Sequence, residues 1–253
     1  MDPNQRTART AGIWFILTFV FSIPAVLLYA PALGNHHNYI VGSGQDTRVM
    51  LGGLLEVGLI ISNIATALVL YPILRRQSES ISLGYVASRI VESTLIAVGI
   101  VAMFALVHMR HDLAGDHGNA ASTVIAGRSL VGIHDATFLL GPSLCAGLGN
   151  GLMLGYLMYR TGLVPRRMAM IGLVGGPLAA VAALLALVGT YAQNSSVQSL
   201  LTIPEIVWEA SLALYLTFKG FRPSPILRQT VDLTNGQLPA QLPRVDSPRT
   251  AEV

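Results

Sequence analysis

The feature that most constrains this chain is a series of six apolar stretches, each long enough to cross a membrane as a helix. About 20 helical residues span the hydrocarbon core of a bilayer, which is about 30 Å thick. The stretches cover residues 13–32, 49–74, 81–107, 130–159, 168–190 and 202–219. Because lipid offers no partner to backbone N–H and C=O groups, each stretch must pair its own backbone as a helix. The sequence therefore predicts an all-α, polytopic bundle of six membrane-spanning helices.

Composition supports a membrane protein and excludes several other classes. Hydrophobic residues make up 52% of the 253 residues and charged residues 11%, whereas soluble domains carry about 25% charged residues. The apolar outer surface of the protein is therefore expected to contact the lipid bilayer. No nucleic acid partner is expected, because the net charge of +3 comes from basic residues at the ends of the apolar stretches. Cys145 is the only cysteine, which excludes an internal disulfide and any CxxC motif.

The basic residues outside the apolar stretches predict the orientation of the bundle. If six helices cross, twelve Lys and Arg residues fall on the side of the two termini and three on the opposite side. Since positive charge is enriched in cytoplasmic loops, both termini are expected in the cytoplasm. We divide the chain into a cytoplasmic N-terminal segment (1–12), a six-helix transmembrane domain (13–219) and a disordered, proline-rich cytoplasmic tail (220–253). Longer loops are expected at 34–48 and 108–128 on the opposite side.

Seven ionisable residues interrupt the apolar stretches. A charge near the centre of a bilayer costs about 2.5–3.5 kcal/mol on insertion scales. These side chains must therefore be paired, protonated or in contact with water inside the bundle. They are Glu56, Arg89, Glu92, His134, Asp135, Glu205 and Glu209.

The spacing and charge balance of these residues point to a shared interior site. Arg89 and Glu92 are three residues apart, and Glu205 and Glu209 are four apart, so each pair shares one helix face. Five carboxylates face only one guanidinium and one imidazole, so some acids are expected to hold protons, bind a cation or contact water. We expect all seven side chains to meet in one carboxylate-rich pocket.

The fourth stretch contains a second pattern, of glycine and proline. Gly141-Pro142 predicts a kink, because proline removes a backbone donor and clashes with the preceding turn. Gly147, Gly151 and Gly155 follow at four-residue spacing. Small residues at this spacing let neighbouring helix backbones approach closely.

Five segments also carry motifs of a known family. They are LGGLLEVG (51–58), LYPILRRQSESISLGYVASRIVE (70–92), HDATFLLGPSLCAG (134–147), YRTGLVPRRMAMIGLVGGPL (159–178) and PEIVWEASLALYLTFKGFRP (204–223). In this order they resemble the bacterial membrane-protein family called domain of unknown function 4386, over about residues 6–223. The resemblance implies a multi-pass protein of the bacterial inner membrane and implies no activity. The family's motif positions fall here on Glu56, Arg89, Glu92, His134, Asp135, Gly141, Pro142, Pro165, Glu205 and Glu209.

These observations favour a transporter-like or ligand-binding membrane protein, whose pocket binds a proton, a cation or a polar small molecule. Two alternatives stay open. One is a non-catalytic scaffold or partner subunit whose buried ion pairs are structural, and the other is an intramembrane acid/base enzyme that uses His134 and Asp135. No metal or cofactor is expected, because His108, His111 and His117 lie on a loop without fixed neighbours. Motifs of hydrolases, zinc proteases and nucleotide-binding proteins do not occur in the sequence.

Overall fold

A computed structural model of the chain describes residues 2–34, 36–42, 45–113, 120–193 and 195–227. Over these ranges the regular structure is helical, without strands. Six helical runs are long and apolar enough to cross a membrane, so the predicted all-α bundle with six spans is confirmed. We call the end where the first helix begins and the last one finishes the inner end, after its predicted orientation, and the opposite end the outer end.

The helices are bounded as follows. They are α1 Pro3–Gly34, α2 His36–Val41, α3 Asp46–Leu74, α4 Glu79–Leu113, α5 Ala120–Phe138, α6 Gly155–Thr161, α7 Arg166–Leu187 and α8 Ser196–Phe218. Two π-helical segments, Leu139–Cys145 and Gly147–Leu154, connect α5 to α6. The spans begin or end a few residues beyond the predicted apolar stretches, and α1 begins ten residues earlier. Much of the expected 108–128 loop is instead helical at the ends of α4 and α5, because these helices continue past their apolar cores.

The helix α3 shows how the bundle separates lipid-facing from interior side chains. Leu54, Ile61 and Leu68 are spaced by seven residues and are 62%, 55% and 56% exposed. Glu56 and Asn63 have the same spacing on another face and are buried. Since seven residues make nearly two helical turns, each set forms a stripe along the helix. The apolar stripe can therefore face lipid while the polar stripe faces α1 and α4, the neighbours of α3.

The fourth span changes helix type at the position where the sequence predicts a kink. The two π-helical segments use i→i+5 hydrogen bonds, and the backbone N–H of Ala146 donates to the carbonyl of Gly141. Pro142 has no N–H to donate, so the winding changes where the α-helical ladder would be broken. Segments of π-helix are rare and frequently lie at functional sites. The whole span, Ser122–Thr161, is 40 residues long and includes both π-helical segments.

The glycines of the fourth span pack against α7. A Cβ at Gly147 would lie 2.6 Å from the carbonyl oxygen of Gly176, and a Cβ at Gly155 would lie 3.2 Å from the backbone nitrogen of Leu173. A Cβ at Gly151 would meet the backbone of Gly176. The prediction of close helix packing along this glycine ridge is therefore confirmed.

The short helix α2 packs over the outer end. Tyr39 and Ile40 of this helix are buried against an apolar cluster formed by α1, α3, α4 and α5. The Tyr39 hydroxyl donates to Asp46 Oδ1 at 2.7 Å, and Arg110 forms an ion pair with the same carboxylate. Burial first, and then the hydrogen bond to this carboxylate, raise the pKa of Tyr39 above its ordinary value of 10.

Residues 221–227, which we call the C-terminal strap, pack against the inner end. The Gln5 side chain donates to the Phe221 carbonyl at 2.8 Å and accepts from the Phe221 N–H at 3.0 Å. The Ser224 hydroxyl donates to the Thr161 carbonyl at 2.6 Å. The beginning of the predicted tail thus belongs to the helical body, because Phe221 and Leu227 are apolar and become buried there. The rest of the predicted tail, 228–253, lies outside the described residues.

Candidate functional site

The structure places the seven predicted site residues in two clusters rather than in one pocket. The inner cluster contains Arg89, Glu92, Glu205 and Glu209, together with Asn63 and Asn150. The outer cluster contains Glu56, His134 and Asp135, together with Tyr29. The separation follows from helix geometry, since Glu56 and Asn63 lie about 10 Å apart along α3. The expectation of one shared hollow is corrected to two sites at different depths.

A closed ring of hydrogen bonds joins α3 to α4 in the inner cluster. Arg89 Nη1 pairs with Glu92 Oε2 at 2.8 Å, and Arg89 Nη2 donates to Asn63 Oδ1 at 2.7 Å. Asn63 Nδ2 closes the ring by donating to Glu92 Oε1 at 3.0 Å. All three side chains are buried, so the ring fixes the register of the two helices. Asn63 was not predicted from the sequence, although an amide seven residues after Glu56 on an apolar helix is a usable signal.

The fourth span contributes Asn150 to the same cluster. Its side-chain amide donates to Glu209 Oε1, and its backbone carbonyl accepts from Trp208 Nε1 at 3.0 Å. Asn150 is fully buried, and its Oδ1 has no hydrogen-bond partner among the described residues. Asn150 was not predicted from the sequence, because the neighbouring glycines dominate the local pattern.

Glu205 has a buried carboxylate that no described residue pairs. It is 4% exposed, and neither Oε1 nor Oε2 has a hydrogen-bond partner in the described part of the chain. A Cβ at Gly151 would meet this carboxylate, and a Cβ at Gly175 would lie 2.6 Å from the Glu205 backbone nitrogen. Glycine at both positions therefore lets the π-helical segment and α7 close tightly around Glu205.

The inner cluster has an excess of acids. Glu209 interacts electrostatically with Arg89, Glu92 and Glu205. Three carboxylates thus share one guanidinium, and two negative charges would remain if every group were ionised. An uncompensated charge is expensive inside a membrane, so the cluster requires protons or another cation.

The outer cluster is built around a hydrogen bond from Tyr29 to Glu56. The Tyr29 hydroxyl donates to Glu56 Oε2 at 2.9 Å. The Tyr29 ring also packs edge-to-face against the His134 ring, with ring centroids 5.2 Å apart. His134 Nδ1 is buried without a described hydrogen-bond partner, and it lies 3.6 Å from Asp135 Oδ1. The Asp135 side chain is 42% exposed. The cluster therefore extends from a buried carboxyl group to the surface.

A small cavity lies between Glu56 and His134. The volume open to the centre of a water molecule is about 10 Å³, which is about the room that one water needs. Its walls come from α3, α4, α5 and the π-helical segment that follows α5. The lining residues are Glu56, Ile96, Gly99, His134, Thr137, Phe138 and Pro142.

Residues 10–220 match the family described as a domain of unknown function, DUF4386. The chain belongs to the DUF4386 family. All residues of the inner and outer clusters fall within the matched part of the chain, and the C-terminal strap lies just beyond it. No curated protein and no solved structure matches the chain.

The described part of this DUF4386 chain has no group of three or more His, Cys, Asp or Glu side chains placed to hold a metal ion. Of the three histidines in the expected 108–128 loop, His108 and His111 belong to α4, and His117 lies outside the described residues. His111 Nε2 lies 3.2 Å from Asp46 Oδ2. The side chains of the two clusters are carboxyl, amide, imidazole, phenol and guanidinium groups.

Proposed function

We propose that this DUF4386 protein is a transporter-like, multi-pass membrane protein whose inner cluster takes up and releases protons. The observation that carries the proposal is the Glu205 carboxylate, which is 4% exposed and lies beside further acids, while neither of its oxygens has a hydrogen-bond partner among the described residues. Protonating a buried carboxylate that has no partner costs much less free energy than keeping it ionised. A proton neutralises the carboxylate without any further ligand.

A proton on Glu205 would also add an O–H donor to the inner cluster. Asn150 Oδ1 has no hydrogen-bond partner among the described residues, and Asn150 precedes Gly151, where a Cβ would meet the Glu205 carboxylate. A protonated carboxyl group has one O–H donor that an ionised carboxylate lacks. Release of the proton would remove this donor and leave a negative charge on Glu205, so loading and unloading would change the contact between α8 and the π-helical segment.

The outer cluster provides a second proton-binding position nearer the outer end. Asp135 is half-exposed, and the cavity beside His134 has room for about one water and is also lined by Glu56. Carboxyl groups, imidazole and water are the groups that relay protons in membrane proteins. Two positions at different depths suit a protein that moves protons, or a polar solute coupled to protons, across the bilayer. We place its site of action in the bacterial inner membrane, with both termini in the cytoplasm.

A structural role is the second candidate, and the ring of Arg89, Glu92 and Asn63 favours it. Each member of this ring pairs with both others, as expected for ion pairs that only fix helix register. An intramembrane enzyme is less well supported, because His134 Nδ1 lies beyond hydrogen-bond distance of Asp135 and the adjacent cavity has room for about one water.

Proton flux into proteoliposomes tests the proposal. The full chain is reconstituted with a pH-sensitive dye inside the vesicles, and a membrane potential is imposed to drive protons inward. We expect wild-type vesicles to acidify faster than empty vesicles, and Glu205→Gln to abolish this excess rate. The glutamine keeps the size of a protonated carboxyl group but cannot exchange a proton.

The matched control is Glu79→Gln, which changes an exposed glutamate at the start of α4. This variant should retain the wild-type flux. If the wild type acidifies no faster than empty vesicles, proton movement is excluded and the structural candidate stands. If Glu205→Gln conducts like the wild type, Glu205 is not the exchanging group.

A further inference from the structure

An open cleft lies at the inner end, beside the turn that joins α6 to α7. Its volume is about 350 Å³, at the lower end of the range for small-molecule sites. The lining residues are Gly162, Val164, Arg166, Arg222 and Pro223. We infer that this cleft binds the phosphate group of an anionic phospholipid headgroup, at a site separate from both interior clusters.

The C-terminal strap builds one side of the cleft. The Arg222 N–H donates to the Leu163 carbonyl at 2.8 Å, and the hydrogen bond from Ser224 to Thr161 holds the strap two residues later. These two bonds attach the strap to the α6–α7 turn on both sides of Pro223. Arg222 is thereby fixed beside the turn rather than left on a free segment.

The cleft concentrates positive charge. Two of its five lining residues are arginines and none is acidic, and no described carboxylate forms an ion pair with either arginine. Arg166 is the first residue of α7, so the positive end of that helix dipole adds to the same field. Two guanidinium groups in one cleft repel each other until an anion binds, and their planar donor forks match phosphate oxygens.

The position of the cleft along the bundle indicates a lipid rather than a soluble anion. The Arg166 guanidinium lies over the ring of Tyr159, 5.6 Å from its centroid. Tyrosine is enriched at the level of the lipid headgroups, and Tyr159 is near the inner end of its span. The inner end is predicted to face the cytoplasm, where anionic lipids attract basic residues. A headgroup phosphate would therefore meet both arginines without leaving the membrane interface.

Titration calorimetry on the full chain in a neutral detergent tests this inference. Three probes are compared, namely a short-chain phosphatidylglycerol, a short-chain phosphatidylcholine and inorganic phosphate. We expect phosphatidylglycerol to bind most tightly. The double variant Arg166→Gln/Arg222→Gln should weaken its binding about 25-fold, from about fivefold for each arginine lost.

Arg75→Gln is the matched control, because Arg75 lies at the same end and is also held over a tyrosine ring, that of Tyr71, without lining the cleft. It should change the affinity by less than twofold. The single variant Arg222→Lys keeps the charge and should bind more tightly than Arg222→Gln, which separates a binding effect from misfolding. Equal binding by the wild type and the double variant overturns the inference. Equal binding of phosphatidylcholine, or of inorganic phosphate, overturns the assignment to an anionic lipid.

Discussion

Replacing Arg89 by methionine removes the guanidinium that pairs with Glu92 in the interior of the bundle. In the wild type this guanidinium bonds Glu92 at 2.8 Å and Asn63 at 2.7 Å, and Arg89 is 2% exposed. Methionine fills about the same space with an apolar side chain. Among the described residues, Glu92 then keeps only its hydrogen bond from Asn63. Breaking a buried pair by removing one partner costs about 3–5 kcal/mol.

This cost should appear as a lower melting temperature. For a protein of this size about 1 kcal/mol corresponds to about 2–4 °C, so we expect Arg89→Met to melt about 6–20 °C below the wild type. Thermal unfolding in detergent can be followed by tryptophan fluorescence, because Trp208 is fully buried in the core. An exposed ion pair would contribute about 1 kcal/mol or less. The size of the loss therefore distinguishes a buried ion pair from an exposed one.

The double variant Arg89→Met/Glu92→Gln provides the control. It removes both charges together and keeps an amide that can pair with Asn63, so it should recover most of the lost stability. The reasoning is refuted if Arg89→Met melts within about 2 °C of the wild type. It is also refuted if the double variant is no more stable than the single one.

The remaining predictions concern packing and the outer end. Gly151→Ala should destabilise by about 1–3 kcal/mol, because a Cβ there meets the backbone of α7 and a buried carboxylate. Gly132→Ala, where a Cβ meets nothing within 4 Å, should be neutral or stabilising. Tyr29→Phe should cost about 1–3 kcal/mol by removing the hydrogen bond to Glu56. Tyr39 should ionise above its ordinary pKa of 10, because burial and a neighbouring carboxylate raise its pKa.

Thermal unfolding checks the two glycine variants and Tyr29→Phe, and equal melting temperatures for Gly151→Ala and Gly132→Ala would contradict the packing argument. A titration toward high pH, followed by phenolate absorbance, checks Tyr39. The absorbance that Tyr39 adds above pH 10, in the late part of the titration, should be missing in Tyr39→Phe. The folded state favours the protonated phenol of Tyr39. The stability that this phenol contributes is therefore present below pH 10 and is lost as pH rises through its raised pKa. An unchanged late titration in Tyr39→Phe would exclude a raised pKa.

Much of the fold could be predicted because lipid imposes strong rules on sequence. The six spans follow from length and hydropathy, and the glycine ridge of the fourth span follows from residue size. The π-helical winding could not be predicted in the same way. Pro142 shows that the α-helical ladder must be interrupted, but a kink and a change of helix type satisfy that requirement equally well.

The candidate site was only partly predictable. The cost of burying charge selects Glu205 and Glu92 correctly as interior groups, but it carries no information on which helices are neighbours. Glu56 and Glu92 belong to different clusters because they lie at different depths in the bundle, on α3 and α4 respectively. Asn150 was missed because Gly147, Gly149 and Gly151 surround it and dominate the local pattern, so the amide does not stand out in the fourth span.

The charge state of Glu205 is the most direct test of the proposed proton-binding site. Infrared spectroscopy of the protein in lipid at neutral pH detects the carbonyl stretch of protonated carboxyl groups. We predict such a band in the wild type, a weaker band in Glu205→Gln and an unchanged band in the exposed-site control Glu79→Gln. A spectrum without this band, or with a band that Glu205→Gln leaves unchanged, would show that Glu205 does not hold the proton and would contradict the account.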